Sequence, residues 1–309
     1  TKKGRKTDGK PVVSYTGNFT TYQKPDYANF DVMNSYDQMA VMIELRNKGY
    51  LQIPSASRGA NGGVFYKMYN KLYEYDESTG SFGLRNDSQS QIDFLSRYAN
   101  ANTDWFDLLF KSQVMQEHSL SVQSGSEKTQ NYTSVSYLND PGMTIGNNVK
   151  RFTGNFRSNF KFSDKLKGEI IGNGSIRDQS APGSQNIQSD PVYGSYYRGY
   201  DINPYNYALS TSRLITPYDE NGNLEYFVRD YAPFNILNEM ANNYAQLGMI
   251  DFKVQGGLTY EVIKDLRYSV NGAFRYSKSE RELFLKEGSN YVQSFRAMND
   301  ATIVGSNDK

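Results

Sequence analysis

The stretch RFTGNFRSNFKF, residues 151–162, alternates between an aromatic face and a cationic face. Successive side chains of a β-strand point to opposite faces, so even-numbered residues share one side and odd-numbered residues share the other. The even side carries four phenylalanines, and the odd side carries Arg151, Arg157 and Lys161 among polar residues. A sandwich strand would also bury its phenylalanines, but it would seldom line its other face with so many charges. The stretch therefore predicts a wall strand of a membrane β-barrel, with lipid outside and water inside.

The spacing of turns supports the same interpretation. Tight turns are predicted at residues 125–128, 163–165 and 263–265, whereas two very long connections run over about 23–115 and 179–247. Outer-membrane barrels have short turns on the periplasmic side and long loops on the extracellular side. We therefore expect an all-β, antiparallel wall with long extracellular loops that carry short helices.

Period-2 alternation predicts roughly seven strands in this wall. They cover residues 13–20, 118–123, 131–138, 151–162, 166–178, 251–261 and 266–278. Seven strands are too few for a large barrel and odd in number for a bacterial single-chain one. We therefore expect further strands after Lys309 and a plug before Thr1.

Composition excludes several other classes of protein. The net charge is +1, from 34 basic and 33 acidic residues, which gives no electrostatic footprint for nucleic acid. The chain has no cysteine, so disulfides and thiolate zinc sites are excluded. Mean hydropathy is −0.70, and no run of about twenty apolar residues predicts a membrane-spanning helix. The 26 tyrosines and 17 phenylalanines suit strands and interfacial girdles, although sugar-binding proteins share this enrichment.

The first long connection shows helical patterns. Ser35 opens a predicted capping box and an apolar stripe that ends near Gly49, and helical periodicity returns at 89–98. Residues 59–83 are rich in Gly, Asn and Tyr and predict an irregular loop. Thr103 is the predicted cap of a short helical turn that contains Trp105, whose ring could stack on a sugar or anchor the loop to the barrel rim. In the second connection, residues 233–245 suggest another short helix.

No pattern in the chain indicates catalysis. The single histidine, His118, lies mid-strand beside apolar positions, so no histidine-based triad is available. The acidic run at 219–223 lacks the ligand spacing of a calcium loop, and the glycines at 59–63 lack the Lys-Ser/Thr of a phosphate loop. We expect no catalytic residue, no metal site and no cofactor.

Several motifs, in order, resemble a known family. They are TKKG at 1–4, NTDWFDLLF at 102–110, HSLSV at 118–122, GSEKT at 125–129, YLNDPG at 137–142 and RFTG at 151–154. In this order and spacing they resemble the SusC/RagA class of TonB-dependent outer-membrane transporters of Bacteroidetes. The resemblance covers most of the chain and is strongest over about seventy residues, from Asn102 to Asp178.

The resemblance implies a 22-stranded barrel that encloses an N-terminal plug. Residues 1–10 would be the end of the plug and a linker, and residues 11–309 the first part of the barrel. It further implies import of glycan or peptide oligomers across the outer membrane, a SusD-like surface lipoprotein as a lid, and energy from TonB through a segment outside this sequence. Outer-membrane lipid would surround the wall, and no nucleic acid partner is implied.

Aromatic residues of the long loops are the candidates for ligand or lid contact. They are Trp105, Tyr193, Tyr196, Tyr197, Tyr200 and Tyr205. Two other functions remain open at this point. A passive outer-membrane porin would share the barrel but have no TonB coupling, and a secreted glycan-binding β-sandwich would fold as a soluble domain.

Overall fold

The computed structural model describes residues 7–8, 10–51, 59–182, 187–189, 196–198, 203–229 and 232–297. The strands are β1 Val12–Tyr22, β2 Tyr75–Asp76, β3 Ser81–Phe82, β4 Gln113–Gly125, β5 Thr129–Asp140, β6 Asn148–Lys161, β7 Leu166–Pro182, β8 Ile187–Ser189, β9 Tyr196–Arg198, β10 Phe227–Arg229, β11 Ala232–Phe234, β12 Asn243–Ile263 and β13 Leu266–Leu285. The helices are α1 Ser35–Asn47, α2 Gly59–Tyr73, α3 Ser88–Ala99, α4 Trp105–Leu109, α5 Pro204–Ser210, α6 Ile236–Asn242 and α7 over residues 290–297, with a 3₁₀ turn at Tyr27–Asn29.

Seven strands form one antiparallel sheet, which confirms the predicted architecture. The strand order is β1-β4-β5-β6-β7-β12-β13, so every strand pairs with its neighbours in chain order once the short loop strands are set aside. Each predicted strand lies within one of these seven, except that the strand predicted over 151–162 extends one residue beyond the end of β6 at Lys161. The wall extends beyond the predicted segments at its loop end, because β7 continues to Pro182 and β12 begins at Asn243. The sheet, which we call the wall, is open along β1 and β13 in the described part of the chain.

One face of the wall is apolar across its whole width. A row of directly opposed residues crosses it in the order Tyr15, Leu120, Val135, Gly154, Gly174, Phe252 and Tyr276. Phe152 on this face is 51% exposed and Phe274 is 64% exposed. We call this side the apolar face and the opposite side the polar face.

All long connections leave the same end of the wall. The connection from β1 to β4 and that from β7 to β12 lie at this end, together with the shorter one between β5 and β6. The opposite end has only the tight turns that join β4 to β5, β6 to β7 and β12 to β13. In the last of these turns Asp265 adopts φ +68°, a left-handed conformation that aspartate tolerates better than most residues. The predicted asymmetry of short turns and long loops is therefore present.

The two long connections pack into one body, which we call the loop module. Its core holds buried aromatic and aliphatic side chains from both connections: Tyr27, Phe65, Met68, Tyr98, Trp105, Phe106, Leu109, Leu214, Phe227 and Ile236. The hydroxyl of Tyr27 donates to the carbonyl oxygen of Ala208, which joins the two connections directly. Among the described residues, no helix is both long enough and apolar enough to cross a membrane.

The prediction of an irregular loop over residues 59–83 was wrong. Most of this segment is helix α2, which begins in a run rich in glycine. Val64, Phe65 and Met68 lie on one side of that helix and are buried in the core of the loop module. Burial of this stripe outweighs the poor helix propensity of glycine, which costs only about 1 kcal/mol per residue.

Two predicted helix caps are shifted by one residue. Helix α1 is capped by Asn34, whose side chain accepts from the backbone N–H of Asp37, while the Ser35 hydroxyl instead donates to the Ala99 carbonyl oxygen at 2.6 Å. Helix α4 is capped by Asp104, and the hydroxyl of Thr103 donates to the carbonyl oxygen of Ile215 at 2.7 Å. In both places the predicted cap residue makes a long-range contact that sequence spacing does not report.

Candidate functional site: the polar face and the loop module

The polar face carries small hydroxyl and amide side chains at mid-height. One row of opposed residues reads Thr16, Ser119, Ser136, Thr153, Ser175, Asp251 and Ser277. The next row reads Ser14, Ser121, Ser134, Asn155, Asn173, Lys253 and Arg275. These groups can exchange hydrogen bonds with water or with a hydrated ligand, so this face is built for an aqueous space.

Ion pairs span neighbouring strands of the polar face. The Arg157 Nη2 atom donates to Glu169 Oε2 at 2.8 Å, between β6 and β7. Arg275 on β13 contacts Asp251 Oδ2 through both Nε and Nη2, at 3.0 and 2.5 Å. Such pairs leave these charged groups of the polar face neutralised by neighbours on the adjacent strand.

A charged cleft of about 510 Å³ lies at the tight-turn end of the polar face. Cations and carboxylates both line it, among them Lys128, Lys161, Lys167, Arg267, Glu169 and Glu261. This mixture fits a surface that contacts polypeptide or water rather than one that selects a ligand of a single charge.

A buried carboxylate connects the two halves of the loop module. The side chain of Glu225 is 2% exposed and accepts from Arg97 Nη2 at 2.9 Å and from the hydroxyl of Tyr98 at 2.7 Å. Lys67 and Thr216 also donate to it. Because Lys67, Arg97 and Tyr98 belong to the first connection and Glu225 to the second, this cluster, which we call the Glu225 hub, fixes one connection to the other.

The hub changes the titration of its members. Burial alone would raise the pKa of Glu225, but the donors that surround the carboxylate outweigh burial and hold its pKa below the ordinary value. Burial also lowers the pKa of the Lys67 ammonium group and raises the pKa of the Tyr98 hydroxyl. The ionised form of Glu225 is therefore the form that the folded loop module stabilises.

The six candidate aromatic residues differ in their positions. Trp105 is 1% exposed, its Nε1 atom donates to the Ser212 carbonyl oxygen at 3.3 Å, and it lies in the core of the loop module rather than on its surface. Tyr205 is 41% exposed and its ring packs against Phe106. Tyr196 and Tyr197 lie on β9, of which only the backbone is described, and Tyr193 and Tyr200 lie outside the described residues. Of the six, Tyr205 is the one whose described side chain reaches solvent.

Hydrogen bonds between backbone groups join the segment after Trp105 to the rim of the wall. The Lys111 N–H donates to the Met143 carbonyl oxygen at 2.8 Å, and the Ile145 N–H donates to the Leu109 carbonyl oxygen at 3.0 Å. Leu109 and Lys111 therefore fix the end of helix α4 to the loop between β5 and β6, whereas Trp105 itself contacts Ser212 and Tyr207 within the loop module.

His118 and Asp219 occupy structural positions. His118 lies on the apolar face, where its Nδ1 is 2.7 Å from the hydroxyl of Tyr15 and its ring stacks on that tyrosine. Asp219 accepts from the backbone N–H groups of Asn221 and Asn223, which closes a turn. Over the described ranges, no group of three or more His, Cys, Asp or Glu side chains is arranged to hold a metal ion.

Sequence reasoning did not find the Glu225 hub. An isolated glutamate is expected at the surface, and the partners of Glu225 lie as far as 158 residues away. No local spacing brings such residues together. The only signal in the sequence is that Glu225 interrupts an otherwise apolar and aromatic stretch.

Comparison with known proteins finds relatives that resemble this chain. No protein-family model matches the chain. It is 25% identical to the TonB-dependent receptor SusC of Bacteroides thetaiotaomicron over 93% of its own length. It is 31% identical to the TonB-dependent receptor P26 of Formosa agariphila over 43% of its length. The chain is SusC/RagA-like.

Solved structures agree with this result. The RagAB peptide importer in its closed-closed state covers 93% of the SusC/RagA-like chain with a TM-score of 0.62, at 18% identity. A second structure of the RagAB peptide transporter gives a TM-score of 0.61 over 92% of the chain. At this level of identity the likeness establishes the fold, and the wall with its loop module corresponds to part of that fold.

The SusC/RagA-like chain is shorter than these relatives. It spans 30% of SusC, 14% of P26 and 30% of the RagAB chain. The names of these relatives describe receptors and importers and no enzyme.

Proposed function

We propose that this chain supplies wall and extracellular loops to a TonB-dependent importer in the outer membrane of a Gram-negative, Bacteroidetes-type bacterium. The observation that carries the proposal is the wall itself. It is apolar and exposed on one face, polar and ion-paired on the other, and has all of its long connections at one end. Lipid would cover the apolar face, and an aqueous lumen would lie against the polar face.

The edges of the wall support a larger barrel. The residues of β1 and β13 are exposed along almost their whole length, which would invite aggregation if these strands ended the sheet. Pairing with further strands would satisfy both edges. In this arrangement residues 11–309 form the first part of the barrel, and residues 1–10 join it to a plug.

We further infer that the cargo is a glycan or peptide oligomer and that a SusD-like lipoprotein covers the loop module. The named relatives include SusC and a peptide importer, which is the basis for these two cargo classes. The loop module is the natural contact surface for such a lid because both long connections contribute to it. Energy from TonB would enter through a part of the protein outside this sequence.

Uptake in cells tests the proposal. A strain that lacks the gene should lose uptake of one class of fluorescent oligosaccharide or oligopeptide, and a strain that lacks TonB should lose the same uptake. Uptake that persists without TonB would favour a passive porin. Recovery of the native protein from the soluble fraction, without detergent, would contradict membrane insertion and favour a secreted glycan-binding sandwich.

The lid requires a separate measurement. The whole protein, purified in detergent from the native host through an affinity tag, should retain a lipoprotein in about equal amount. A preparation that imports its cargo but never retains a lipoprotein would contradict the lid while leaving the importer in place.

A further inference from the structure

Two arginines face each other on the polar face of the wall. Arg151 on β6 and Arg177 on β7 are direct partners in the antiparallel register, and both have odd positions that point to the polar side. Directly opposed residues in an antiparallel pair have Cβ atoms about 5 Å apart, and like charges at such positions destabilise the sheet. The pair therefore needs a compensating negative charge.

The described residues supply only half of that compensation. Arg151 donates through Nη2 to Glu117 Oε1 at 3.2 Å. The partner found for Arg177 is the neutral side chain of Gln179, whose Oε1 accepts from Nη2 at 2.9 Å. The nearby carboxylate of Asp251 is already contacted twice by Arg275. Within the part of the wall that the structure describes, one positive charge of the pair is left without a carboxylate.

The two arginines also have N–H donors without hydrogen-bond partners. The Nε atoms of Arg151 and Arg177 are buried and have no hydrogen-bond partner among the described residues, and the same is true of Arg157 Nε, so the missing carboxylate is what sets Arg177 apart. A buried donor without a partner is unfavourable, because it has lost its hydrogen bonds to water and gained none in return. A guanidinium group presents its donors in a planar fork that matches the two oxygens of a carboxylate.

We propose that Arg177, together with Arg151, is the anchor of a carboxylate-binding site on the polar face. The pair lies near the loop end of the wall. Arg151 is close to the start of β6 at Asn148, and Arg177 is close to the end of β7 at Pro182. The carboxylate can come from an imported molecule, such as a peptide terminus or a uronic acid. It can also come from another segment of the same polypeptide that the barrel encloses.

The inference rests on the proposed function only in that the polar face lines an enclosed aqueous space. It is tested on the whole protein purified in detergent, with two pairs of probes. One pair is acetylated tetraalanine with a free carboxylate and its amide, and the other is tetragalacturonate and its methyl ester. If the carboxylate belongs to cargo, one acidic probe should bind at least about tenfold more tightly than its neutral form.

Substitutions of Arg177 then test whether the tighter binding of the acidic probe depends on the arginine pair. Arg177→Gln should remove the tenfold preference, and Arg177→Lys should restore part of it because the charge returns without the fork. Arg157→Gln is the matched control, because Arg157 lies on the same face but already has the carboxylate of Glu169. The control should leave the preference unchanged.

If the carboxylate belongs to the polypeptide itself, the probes will not discriminate. In that case Arg177→Gln should raise hydrogen exchange at least about tenfold in one acidic segment enclosed by the barrel, whereas Arg157→Gln should leave that segment unchanged. An Arg177→Gln variant that matches the wild type in both measurements overturns the site. If the wild-type protein imports its cargo with TonB but shows no preference for an acidic probe, and Arg177→Gln leaves hydrogen exchange unchanged, the site is overturned and the proposed function still stands.

Discussion

The ring of Phe156 lies directly over Gly172, its antiparallel partner on the neighbouring strand. A Cβ atom built on Gly172 would stand 2.0 Å from Phe156 Cε1 and 2.6 Å from Cδ1, which is closer than atoms can approach. The aromatic ring thus occupies the space that a side chain at this position would take. Such pairs of aromatic residue and glycine bring a ring flat against the sheet and pin its register.

Gly172→Ala should therefore destabilise the wall by about 1–3 kcal/mol, because the ring of Phe156 must leave its position. Gly154→Ala is the matched control, since a Cβ atom there would meet nothing within 4 Å. Thermal unfolding of the whole protein in detergent, followed by the heat-induced change in gel mobility, measures the difference. Equal midpoints for the two variants would show that the ring does not need this glycine.

A lysine introduced on the apolar face of β6 should destabilise the protein much more than one introduced on the polar face. Phe152→Lys places an ammonium group on the apolar face and should cost up to about 2–4 kcal/mol, depending on its depth in the bilayer. Thr153→Lys places the same group on the polar face and should be nearly neutral. Denaturant unfolding of the protein in lipid vesicles compares them. A larger loss for Thr153→Lys would reverse the assignment of the faces.

The Glu225 hub should control the stability of the loop module. Glu225→Ala leaves the half-buried cations Lys67 and Arg97 without their carboxylate and should cost the module roughly 3–5 kcal/mol. Glu220→Ala is the control, because the Glu220 side chain is 78% exposed and lies 3.7 Å from Arg97 Nε, where a surface pair contributes about 0–1 kcal/mol. Hydrogen exchange in α2 and α3 should rise only in the first variant. Unchanged protection from exchange in Glu225→Ala would show that the hub does not stabilise the loop module.

Acid should loosen the same module. The pKa of Glu225 is held below its ordinary value of 4.5, so the ionised carboxylate contributes stability that is complete above that value. This stability is lost as pH falls through the lower pKa of the folded state. Exchange rates in α2 and α3, corrected for intrinsic chemistry, should be flat from pH 7 to about 5 and rise below that range. Glu225→Gln should abolish this dependence; a variant that keeps it would point to another titrating group.

Much of the wall could be predicted from the sequence. Alternation of the kind seen at 151–162 reports a strand directly, and tight turns such as the one before Leu166 set where neighbouring strands meet. Both signals are local, since a strand alternates with period 2 whatever lies beside it. The segment 59–73 was missed because burial of Phe65 and Met68 decides its helix, and burial depends on partners outside the segment.

The candidate site could be predicted less well. Trp105 was named from the sequence as a candidate for ligand or lid contact, and only the fold shows that it lies in a core and not at a surface. The opposition of Arg151 and Arg177 depends on the register of β6 against β7, and a shift of one residue would have placed one of them on the other face. Sequence patterns fix which residues share a face, whereas contacts between residues far apart in the chain require the register itself.

The contacts inside the loop module also impose an order on assembly. Tyr27 meets Ala208 across 181 residues, and Arg97 meets Glu225 across 128. Contacts between such distant residues form slowly, because the intervening chain must first be brought together. With the outer-membrane location proposed above, the first connection would cross the periplasm with its aromatic residues uncovered, since their partners in the second connection follow much later in the chain. We then expect periplasmic chaperones to hold this segment until the second connection follows β7, so that the loop module becomes native only after β4 to β7 have paired.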